Sequence, residues 1–494
     1  MSLDARIGRV LMVAPPPDWR RGALTWLDSL QPAGVILFRR HLPDDPEDAR
    51  AAIARLQAWA SERGETLLVA MDEEGGFVAQ ASHLVPTPPS ARALAWGTQP
   101  HTVADVYQRY GRRLRALGMN LDFAPVCDVN NNPRNPVIGV RSFGSEPDAV
   151  VPYAAAAQKG LDAAGVLSCL KHFPGHGDTD VDSHLARPTL LHERARLDAI
   201  ELRPFRELLG DSPSVMVAHL ACPRLGDADL PATLSPRVAT TLLRDELGFE
   251  GVAVTDAMEM QGVAAEYDPG EAAARALQAG CDLLLHCAEL DLAEKAYEGL
   301  RRALESGELA AARLEEATSR VDRLRALAVA RADQLQAVHP LGEPEQDRRL
   351  YGEICRAALR LDNKPAWQMW SRTLRSGGAV HLVGWDDELL GALHRRLQAH
   401  DAVVRVMSPE AALEVEPAAT VVVMAERRPL DAGNVRRLRS LAERQPAALL
   451  ANLLTPEVDA PVESLFAARM RSADRSHIML DAVVERWLEM AEER

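Results

Sequence analysis

The chain has 494 residues, of which 47% are hydrophobic and 26% charged, the mix of an ordinary globular protein. Because this length exceeds what one compact core usually holds, we expect two domains. The formal net charge of −15 argues against a nucleic-acid-binding protein, since such proteins concentrate positive charge.

The beginning of the chain, MSLDARIGRVLMVAPPPDW, has only a short apolar run, which prolines interrupt. It lacks the charged start, long apolar stretch and small-residue cleavage site of a secretory signal. No stretch approaches the ~18 apolar residues that a membrane span needs. The six cysteines form no CxxC pair, and most stand in apolar surroundings, which favours buried thiols in a reducing compartment. We therefore expect a cytoplasmic protein with no membrane or nucleic-acid partner.

Short apolar runs alternate with helix-like segments over roughly the first 290 residues. Eight such runs predict strands: Val10–Val13, Gly34–Phe38, Leu67–Met71, Met119–Phe123, Val166–Leu170, Val215–Val217, Val252–Val254 and Asp282–Leu285. Continuous apolar runs are typical of strands buried on both faces of a parallel sheet, and strands that alternate with helices form βαβ units. Eight units in this length fit a (β/α)₈ barrel, whose usual size is ~250 residues. A doubly wound sheet is the competing architecture.

The helix-like segments between these runs have the spacing of amphipathic helices: Pro46–Arg63, Val103–Leu117, Leu191–Leu209 and Pro236–Leu247. A long helical stretch from about Ala310 to Val338 ends the first part, and the residues that follow, HPLGEP, are typical of a linker. Four further apolar runs lie beyond it: Val380–Val383, Val403–Met407, Thr420–Met424 and Ala448–Leu454. We predict a catalytic barrel over residues 1–338, a linker over 339–349 and a smaller α/β domain over 350–494.

Polar residues that directly follow barrel strands face the active site of such enzymes. Here DEEGG (72–76) follows the third predicted run, and KHFPGHGD (171–178) follows the fifth. TDAM (255–258) stands at the end of the seventh. The densest segment is KHFPGHGDTDVDSH (171–184), with three histidines, three aspartates and a lysine. Acid/base catalysis, metal binding by groups such as His172, His176 and Asp178, and a solvated polar loop are all compatible with it. So many ionisable groups on a loop favour catalysis.

This segment closely resembles the signature of glycoside hydrolase family 3, in its β-N-acetylglucosaminidase branch. Other motifs resemble those of the branch and occur in the family's order between about residues 7 and 330: DEEGG (72–76), NLDFAPV (120–126), NPVIG (135–139), RSFG (141–144), MVAH (216–219), PATLS (231–235) and LGFEGVAVTD (247–256). The resemblance implies a (β/α)₈ barrel followed by a smaller α/β domain. It also implies a retaining, exo-acting β-N-acetylglucosaminidase that acts on small glycans such as peptidoglycan fragments, with no metal or organic cofactor.

The resemblance further implies roles for individual residues. Asp256 would be the nucleophile that forms a glycosyl–enzyme ester, since a carboxylate needs no prior deprotonation at pH 7. His184 would be the general acid/base. Asp182 would accept a hydrogen bond from one ring nitrogen of His184, so that the other nitrogen can protonate the leaving oxygen. The residues implied to bind the hydroxyl groups of the cleaved sugar are Asp72, Arg141, Lys171 and His172.

Structural roles remain open for some of these residues. Asp256 or Asp182 could cap a helix, and Arg141 could pair with a carboxylate purely for structure. Three further polar residues are expected to shape loops by hydrogen bonding and are left out of the site: Asp128, His176 and Asp178.

The chain departs from the family's pattern in its first motif. Phe77 and Gln80 stand where relatives carry arginine, and Glu73 stands where glutamine is common. The loss of two cations bears on the remote part of the substrate more than on the chemistry.

Three other functions remain open. A β-glucosidase or xylosidase of the same family usually takes its acid/base carboxylate from outside the barrel, and Asp182-Ser183-His184 argues against it. A phosphorylase would use phosphate in place of water, which a histidine acid/base tolerates better than an anionic carboxylate. A sugar-binding protein without catalysis is a different class, and the presence of Asp256, Asp182 and His184 argues against it. The sequence does not indicate the oligomeric state.

Overall fold

The computed structural model describes residues 3–183, 185–227, 230–334, 343–400, 402–416, 418–425, 430–454, 462 and 464–493. Its first part contains a closed barrel of eight parallel strands, each paired with its neighbours in chain order and the last paired with the first. The strands are β1 (Leu11–Val13), β2 (Gly34–Ile36), β3 (Leu68–Met71), β4 (Leu121–Asp122), β5 (Leu167–Phe173), β6 (Ser214–Val217), β7 (Val252–Ala257) and β8 (Leu283–His286). This confirms the predicted barrel and rules out the doubly wound sheet.

Helices surround the strands and cover their outer faces. They are Leu3–Gly8, Thr25–Leu30, Pro46–Ser61, Ala91–Gly97, Pro100–Leu117, Pro147–Ala163, Arg194–Ala199, Arg203–Leu208, Arg237–Glu246, Gln261–Ala264, Pro269–Ala279, Leu290–Ser306 and Ala311–Gln334. Successive strand residues face opposite sides, so Met12 lies in the interior of the barrel while Leu11 and Val13 pack against the helices. Both faces of each strand are therefore buried, which explains the continuous apolar runs in the sequence.

The helix predicted over Leu191–Leu209 is divided in the structure. Two short helices, Arg194–Ala199 and Arg203–Leu208, take its place. Pro204 has no amide hydrogen, so it is accommodated in the first turn of the second helix and not within one long helix.

The second part of the chain contains a six-stranded sheet with helices around it. Its strands are β9 (Arg360–Leu361), β10 (Val380–Val383), β11 (Val404–Met407), β12 (Ala419–Met424), β13 (Leu449–Asn452) and β14 (Ala468–Arg471), in the spatial order β9-β14-β13-β12-β10-β11. Only β9 runs antiparallel to its neighbour. The helices are Pro344–Ala358, Lys364–Arg375, Asp387–Gln398, Pro409–Ala412, Ala432–Arg444 and His477–Glu489. The four predicted strands are present, but β9 and β14 were missed because arginines interrupt their apolar character.

The segment predicted as a linker, 339–349, is partly helical. Residues 344–349 begin the helix Pro344–Ala358, whose first turn carries a proline and acidic residues, both of which favour a helix N-terminus. Residues 339–342 lie outside the described part of the chain. The domain boundaries at 338 and 350 stay a prediction.

The two parts are in direct contact behind the loop that follows β3. The backbone N–H of Ser90 donates to Asp474 at 2.8 Å, and the Ser90 hydroxyl donates to the carbonyl oxygen of Ala473 at 2.6 Å. The helix Pro344–Ala358 packs against both Ala91–Gly97 and His477–Glu489. None of the helices in the described ranges has the length and apolar character to cross a membrane.

Candidate active site

A cavity of about 310 Å³ opens at the carboxyl ends of the barrel strands. Six of the seven residues singled out from the sequence line it: Asp72, Arg141, Lys171, His172, Asp182 and Asp256. The seventh, His184, lies outside the residues that the structure describes. That these side chains bind and cleave a substrate stays a prediction at this point.

Asp256 lies near the end of β7, where the strand emerges from the barrel. One of its carboxylate oxygens accepts a hydrogen bond from the backbone N–H of Ala257 at 2.8 Å. The N-cap position of the next helix, Gln261–Ala264, belongs to Met260. Asp256 is therefore directed into the cavity and does not have the capping role that the sequence left open.

A network of buried ion pairs forms one wall of the cavity. The Nζ atom of Lys171 lies 2.7 Å from Asp72 and 2.6 Å from Glu74. Arg141 holds the same Glu74 carboxylate with two parallel hydrogen bonds, from Nε at 2.8 Å and Nη2 at 2.7 Å. This fork geometry is the strongest that arginine forms with a carboxylate, and it orients both partners. Glu74 thus joins the two cations.

The network keeps its members charged although they are buried. Burial opposes ionisation of Glu74, but Arg141 and Lys171 outweigh it and hold the pKa of this carboxyl well below its usual value. Burial likewise opposes the charge of Lys171, but Asp72 and Glu74 raise its pKa above the usual range. For Arg141, Glu74 outweighs burial and raises the pKa in the same way. This wall of the cavity therefore carries fixed charges.

His172 is held from both sides of its ring. Its Nδ1 donates to Asp128 at 2.6 Å, and Arg141 donates to its Nε2 at 3.2 Å. Asp128 is fully buried and also accepts from the backbone N–H of His172 at 3.2 Å and of His176 at 2.7 Å. Asp128 therefore sets the orientation of His172 as well as the path of the loop.

The loop that follows β5 is tied down along its length. The His176 ring contacts the Thr179 hydroxyl at 2.7 Å and the Ser183 hydroxyl at 3.3 Å. Burial, together with the nearby His172, lowers the pKa of His176 to about 4, so the ring is neutral near pH 7. At Gly177 an added Cβ would lie 1.8 Å from the carbonyl oxygen of Val129, so the two loops approach more closely than any side chain permits. Asp182, at the far end of this loop, lines the cavity.

Among the acidic, basic and histidine side chains that line the cavity, Glu74 and His176 were absent from the predicted site. The sequence held a signal for Glu74. Residues 73–75 form a short strand, and alternate residues of a strand face the same side, so Asp72 and Glu74 point together into the cavity while Glu73 points away. His176 was expected only to shape the loop, which it also does.

Glu73 points into the protein behind the cavity wall and is fully buried. Its carboxyl contacts the Tyr110 hydroxyl and accepts from the backbone N–H of Ala81 at 2.6 Å. Burial, with a contribution from the negative charge of Asp72, raises the pKa of Glu73 to about 8. Glu73 therefore carries a proton at neutral pH, and the side chain is uncharged, as a glutamine would be.

The groups that the sequence raised as metal ligands turn to different partners. His172 faces Asp128, and His176 faces Thr179, as described above. Asp178 accepts from His192 at 2.7 Å and lies within 4.8 Å of a possible ligand atom of Glu201. Arg196 contacts Glu201 at 2.7 Å and Asp178 at 3.3 Å, so a guanidinium already balances both carboxylates.

Comparison with known proteins gives a consistent result. A family model described as "Glycosyl hydrolase family 3 N terminal domain" matches residues 2–324. The chain is 32% identical over 464 residues to beta-hexosaminidase A of Pseudoalteromonas piscicida, which covers 85% of this chain and 77% of that protein. It is 39% identical over 270 residues to beta-hexosaminidase LpqI of Mycobacterium tuberculosis, covering 52% of this chain and 68% of that protein.

A solved structure is similar over nearly the whole chain. It is a glycoside hydrolase family 3 beta-N-acetylglucosaminidase from Paenibacillus sp. str. FPU-7, with a TM-score of 0.83 and 28% sequence identity. The match covers 99% of this chain and 97% of that one. Both the barrel and the second α/β unit therefore have counterparts in that protein.

Proposed function

The chain belongs to glycoside hydrolase family 3, and from this premise we propose that it is a retaining, exo-acting β-N-acetylglucosaminidase that cleaves terminal N-acetyl-β-glucosaminides. Membership of the family makes it a glycosidase. The relatives named beta-hexosaminidase and the similar beta-N-acetylglucosaminidase structure support the choice of sugar. The observation that carries the proposal is one cavity in which Asp256 and Asp182 lie with the Asp72–Lys171–Arg141 wall.

The cavity suits the binding of one sugar unit. About 310 Å³ is near the lower end of the volumes of small-molecule sites, roughly 300–1,000 Å³. Asp72 offers carboxylate oxygens to hydroxyl groups, and Lys171 and Arg141 offer N–H donors. His172 is already oriented by Asp128, so little ordering is required when the sugar binds.

The proposed reaction has two steps with Asp256 as nucleophile. In the first, a carboxylate oxygen of Asp256 forms a bond to the anomeric carbon while the bond to the leaving oxygen breaks. His184 gives its proton to that oxygen, and Asp182 holds the imidazole and stabilises its charged form. In the second, His184 takes a proton from water, which attacks the anomeric carbon and releases Asp256. Two displacements give net retention.

The cytoplasmic location and the use on peptidoglycan fragments belong to the same proposal. The six cysteines are all free thiols, and five of them are buried, which supports a reducing compartment. The peptidoglycan substrate rests on the resemblance alone. Phosphorolysis and a preference for glucosides or xylosides are treated as outcomes of the test below.

The proposal is tested with aryl β-glycosides of N-acetylglucosamine, glucose and xylose, with and without inorganic phosphate. We expect the N-acetylglucosaminide to be cleaved with the highest kcat/KM and independently of phosphate, and NMR to show the β-anomer as first product. Asp256→Asn should lower kcat by ~10³-fold or more, because the attacking charge is lost. Asp105→Asn, at an exposed carboxylate on the helix Pro100–Leu117, is the matched control and should retain full activity.

Each alternative has its own signature in this experiment. A glycosyl phosphate as product would identify a phosphorylase, and a preference for the glucoside or xyloside would change the substrate. Sugar binding without turnover by the wild type would indicate a protein that has lost catalysis. Full turnover by Asp256→Asn would exclude Asp256 as nucleophile.

A further inference from the structure

The segment that follows β2 brings a cation to the edge of the cavity. Phe38 and Cys287, which follow β2 and β8, both line the cavity. The guanidinium of Arg40 lies 4.5 Å from the centroid of the Phe38 ring, and its Nη2 donates to the carbonyl oxygen of Cys287 at 2.6 Å. These two contacts hold the side chain in place while the residue remains exposed. Arg40 is therefore a positioned cation at the mouth of the cavity.

Within the described part of the chain, no carboxylate forms an ion pair with Arg40, whereas its neighbour Arg39 pairs with Asp44 at 2.6 Å. A guanidinium has five N–H donors, and the Cys287 carbonyl accepts from one of them. The remaining donors are available to a group that approaches from solvent.

The inner cavity has the opposite charge. Its lining holds four carboxylates against two cations, the latter being Lys171 and Arg141, and both cations are engaged by Glu74. A negatively charged group would be repelled there and attracted at the mouth. Gln80, which lines the cavity without charge, accepts from the backbone N–H of Arg39 at 3.2 Å, so this rim is continuous with the cavity wall.

We propose that Arg40 binds a carboxylate on the leaving-group side of the substrate, so that this enzyme prefers glycosides whose leaving group is acidic. The inference rests on the proposed function, because a terminal sugar in the inner cavity leaves the mouth for the group to which it is linked. The planar guanidinium matches the two oxygens of a carboxylate. Phe38, which lines the cavity, supplies apolar surface beside it against which the leaving group can pack.

The test uses two aryl N-acetyl-β-glucosaminides with related leaving groups, 7-hydroxy-4-methylcoumarin and 7-hydroxycoumarin-3-carboxylate. The measured quantity is the ratio of kcat/KM for the acidic substrate to that for the neutral one. Comparing this ratio between variants cancels the intrinsic difference between the leaving groups. We expect Arg40→Gln to lower the ratio by about fivefold to tenfold. A tenfold change corresponds to about 1.4 kcal/mol.

Two further variants separate charge from packing. Arg39→Gln removes an adjacent cation whose charge Asp44 offsets, and it should change the ratio less than twofold. Arg40→Lys keeps the charge and should retain part of the preference. In the wild type, 0.5 M NaCl should lower the ratio towards that of Arg40→Gln, because the site is open to solvent and salt screens it.

Several results would overturn the inference. Equal losses on both substrates in Arg40→Gln would mean that the side chain only supports Phe38 and Cys287. Equal effects of Arg39→Gln and Arg40→Gln would mean a diffuse field with no binding contact. If Arg40→Gln lowered kcat/KM for the neutral substrate only when inorganic phosphate is present, Arg40 would bind phosphate and not a carboxylate of the leaving group. If the wild type cleaved both substrates with no preference for the acidic one, only this inference would be wrong. If it cleaved neither substrate, the proposed function would be wrong as well.

Discussion

At the scale of single residues, the three consecutive acids after β3 have three different environments. Asp72 is partly exposed beside Lys171, Glu74 is buried between two cations, and Glu73 is buried on the other side of the short strand without a cation in contact. Burial raises the pKa of a carboxyl unless a nearby cation or several hydrogen bonds offset it. Glu73 and Glu74, adjacent in sequence, therefore take opposite charge states near pH 7.

Glu73 should make the stability of this protein fall with rising pH. The carboxyl has a pKa near 4.5 when unfolded and about 8 when folded. Below 4.5 both states hold the proton. Between 4.5 and 8 only the folded state does, so the free energy of unfolding decreases across this window, by at most about 1.4 kcal/mol per pH unit, and then levels off. Tyr110, Asp122 and Asp72 are the ionisable groups around it, and none supplies a positive charge.

Glu73→Gln should remove this decline, because glutamine keeps the shape and stays neutral. We expect the variant to be more stable than the wild type by about 2 kcal/mol or more at pH 8, and close to it at pH 5. Urea unfolding measured across this range checks the difference. Glu47→Gln, at an exposed helix position, is the control and should follow the wild-type curve. Parallel curves for Glu73→Gln and the wild type would show that Glu73 is ionised in the folded protein.

At the scale of elements, the strands were predictable wherever their residues were apolar. Apolar runs gave all eight barrel strands, but they ended β5 at Leu170 and β7 at Val254, whereas the strands continue to Phe173 and Ala257. The added residues include Lys171 and Asp256, polar groups that a barrel enzyme needs at the strand ends. Burial in the helix-facing layer favours apolar residues and the cavity favours polar ones, so a rule based on apolar runs stops short at the cavity.

The loop contacts could not be read from the sequence at all. Asp128 is 44 residues from His172 along the chain, and the hydrogen bond that orients the ring depends on how two loops meet. The six residues that the structure does bring together were found through motif resemblance, and Glu74 was lost because the short strand after β3 was not anticipated.

Gly177→Ala should separate the two loops that carry the site. Its new Cβ would lie 1.8 Å from the Val129 carbonyl oxygen and 2.4 Å from its carbon, which are backbone atoms that cannot rotate away. The displaced loop bears His176 and Asp182, which line the cavity, so we expect kcat/KM to fall at least tenfold, with a lower Tm. Gly210→Ala is the matched control, because no atom lies within 4 Å of the added Cβ. Its Tm should be unchanged or slightly higher. Wild-type activity in Gly177→Ala would mean that the loops can move apart without cost to the site.

At the scale of the whole molecule, the second domain supports the active-site wall from behind. The backbone N–H of Gly76, just after the acids of the β3 motif, donates to the carbonyl oxygen of Pro88 at 2.8 Å. Two residues later Ser90 is held by Asp474 and Ala473 of the second domain. A short chain of hydrogen bonds thus runs from the second domain to the turn that places Asp72 and Glu74. Among the residues that the structure describes, all those lining the cavity belong to the barrel, so the second domain acts on the cavity wall through this support.

Asp474→Ala tests whether this support matters for the site. Asp474 is fully buried and accepts from the backbone N–H groups of Ser90 and Ser476, both at 2.8 Å. Its loss leaves two backbone donors without this acceptor, and the one at Ser90 is buried, where an unpaired donor costs about 1–3 kcal/mol. We expect a lower free energy of unfolding, measured in urea. At urea concentrations where the protein stays folded, we also expect KM to rise severalfold, because the segment 72–76 after β3 is less firmly held. Asp481→Ala removes an exposed carboxylate that pairs with Arg396 in the same domain and should change neither quantity much. If Asp474→Ala lowered stability yet left KM at the wild-type value, the second domain would stabilise the barrel without positioning its substrate.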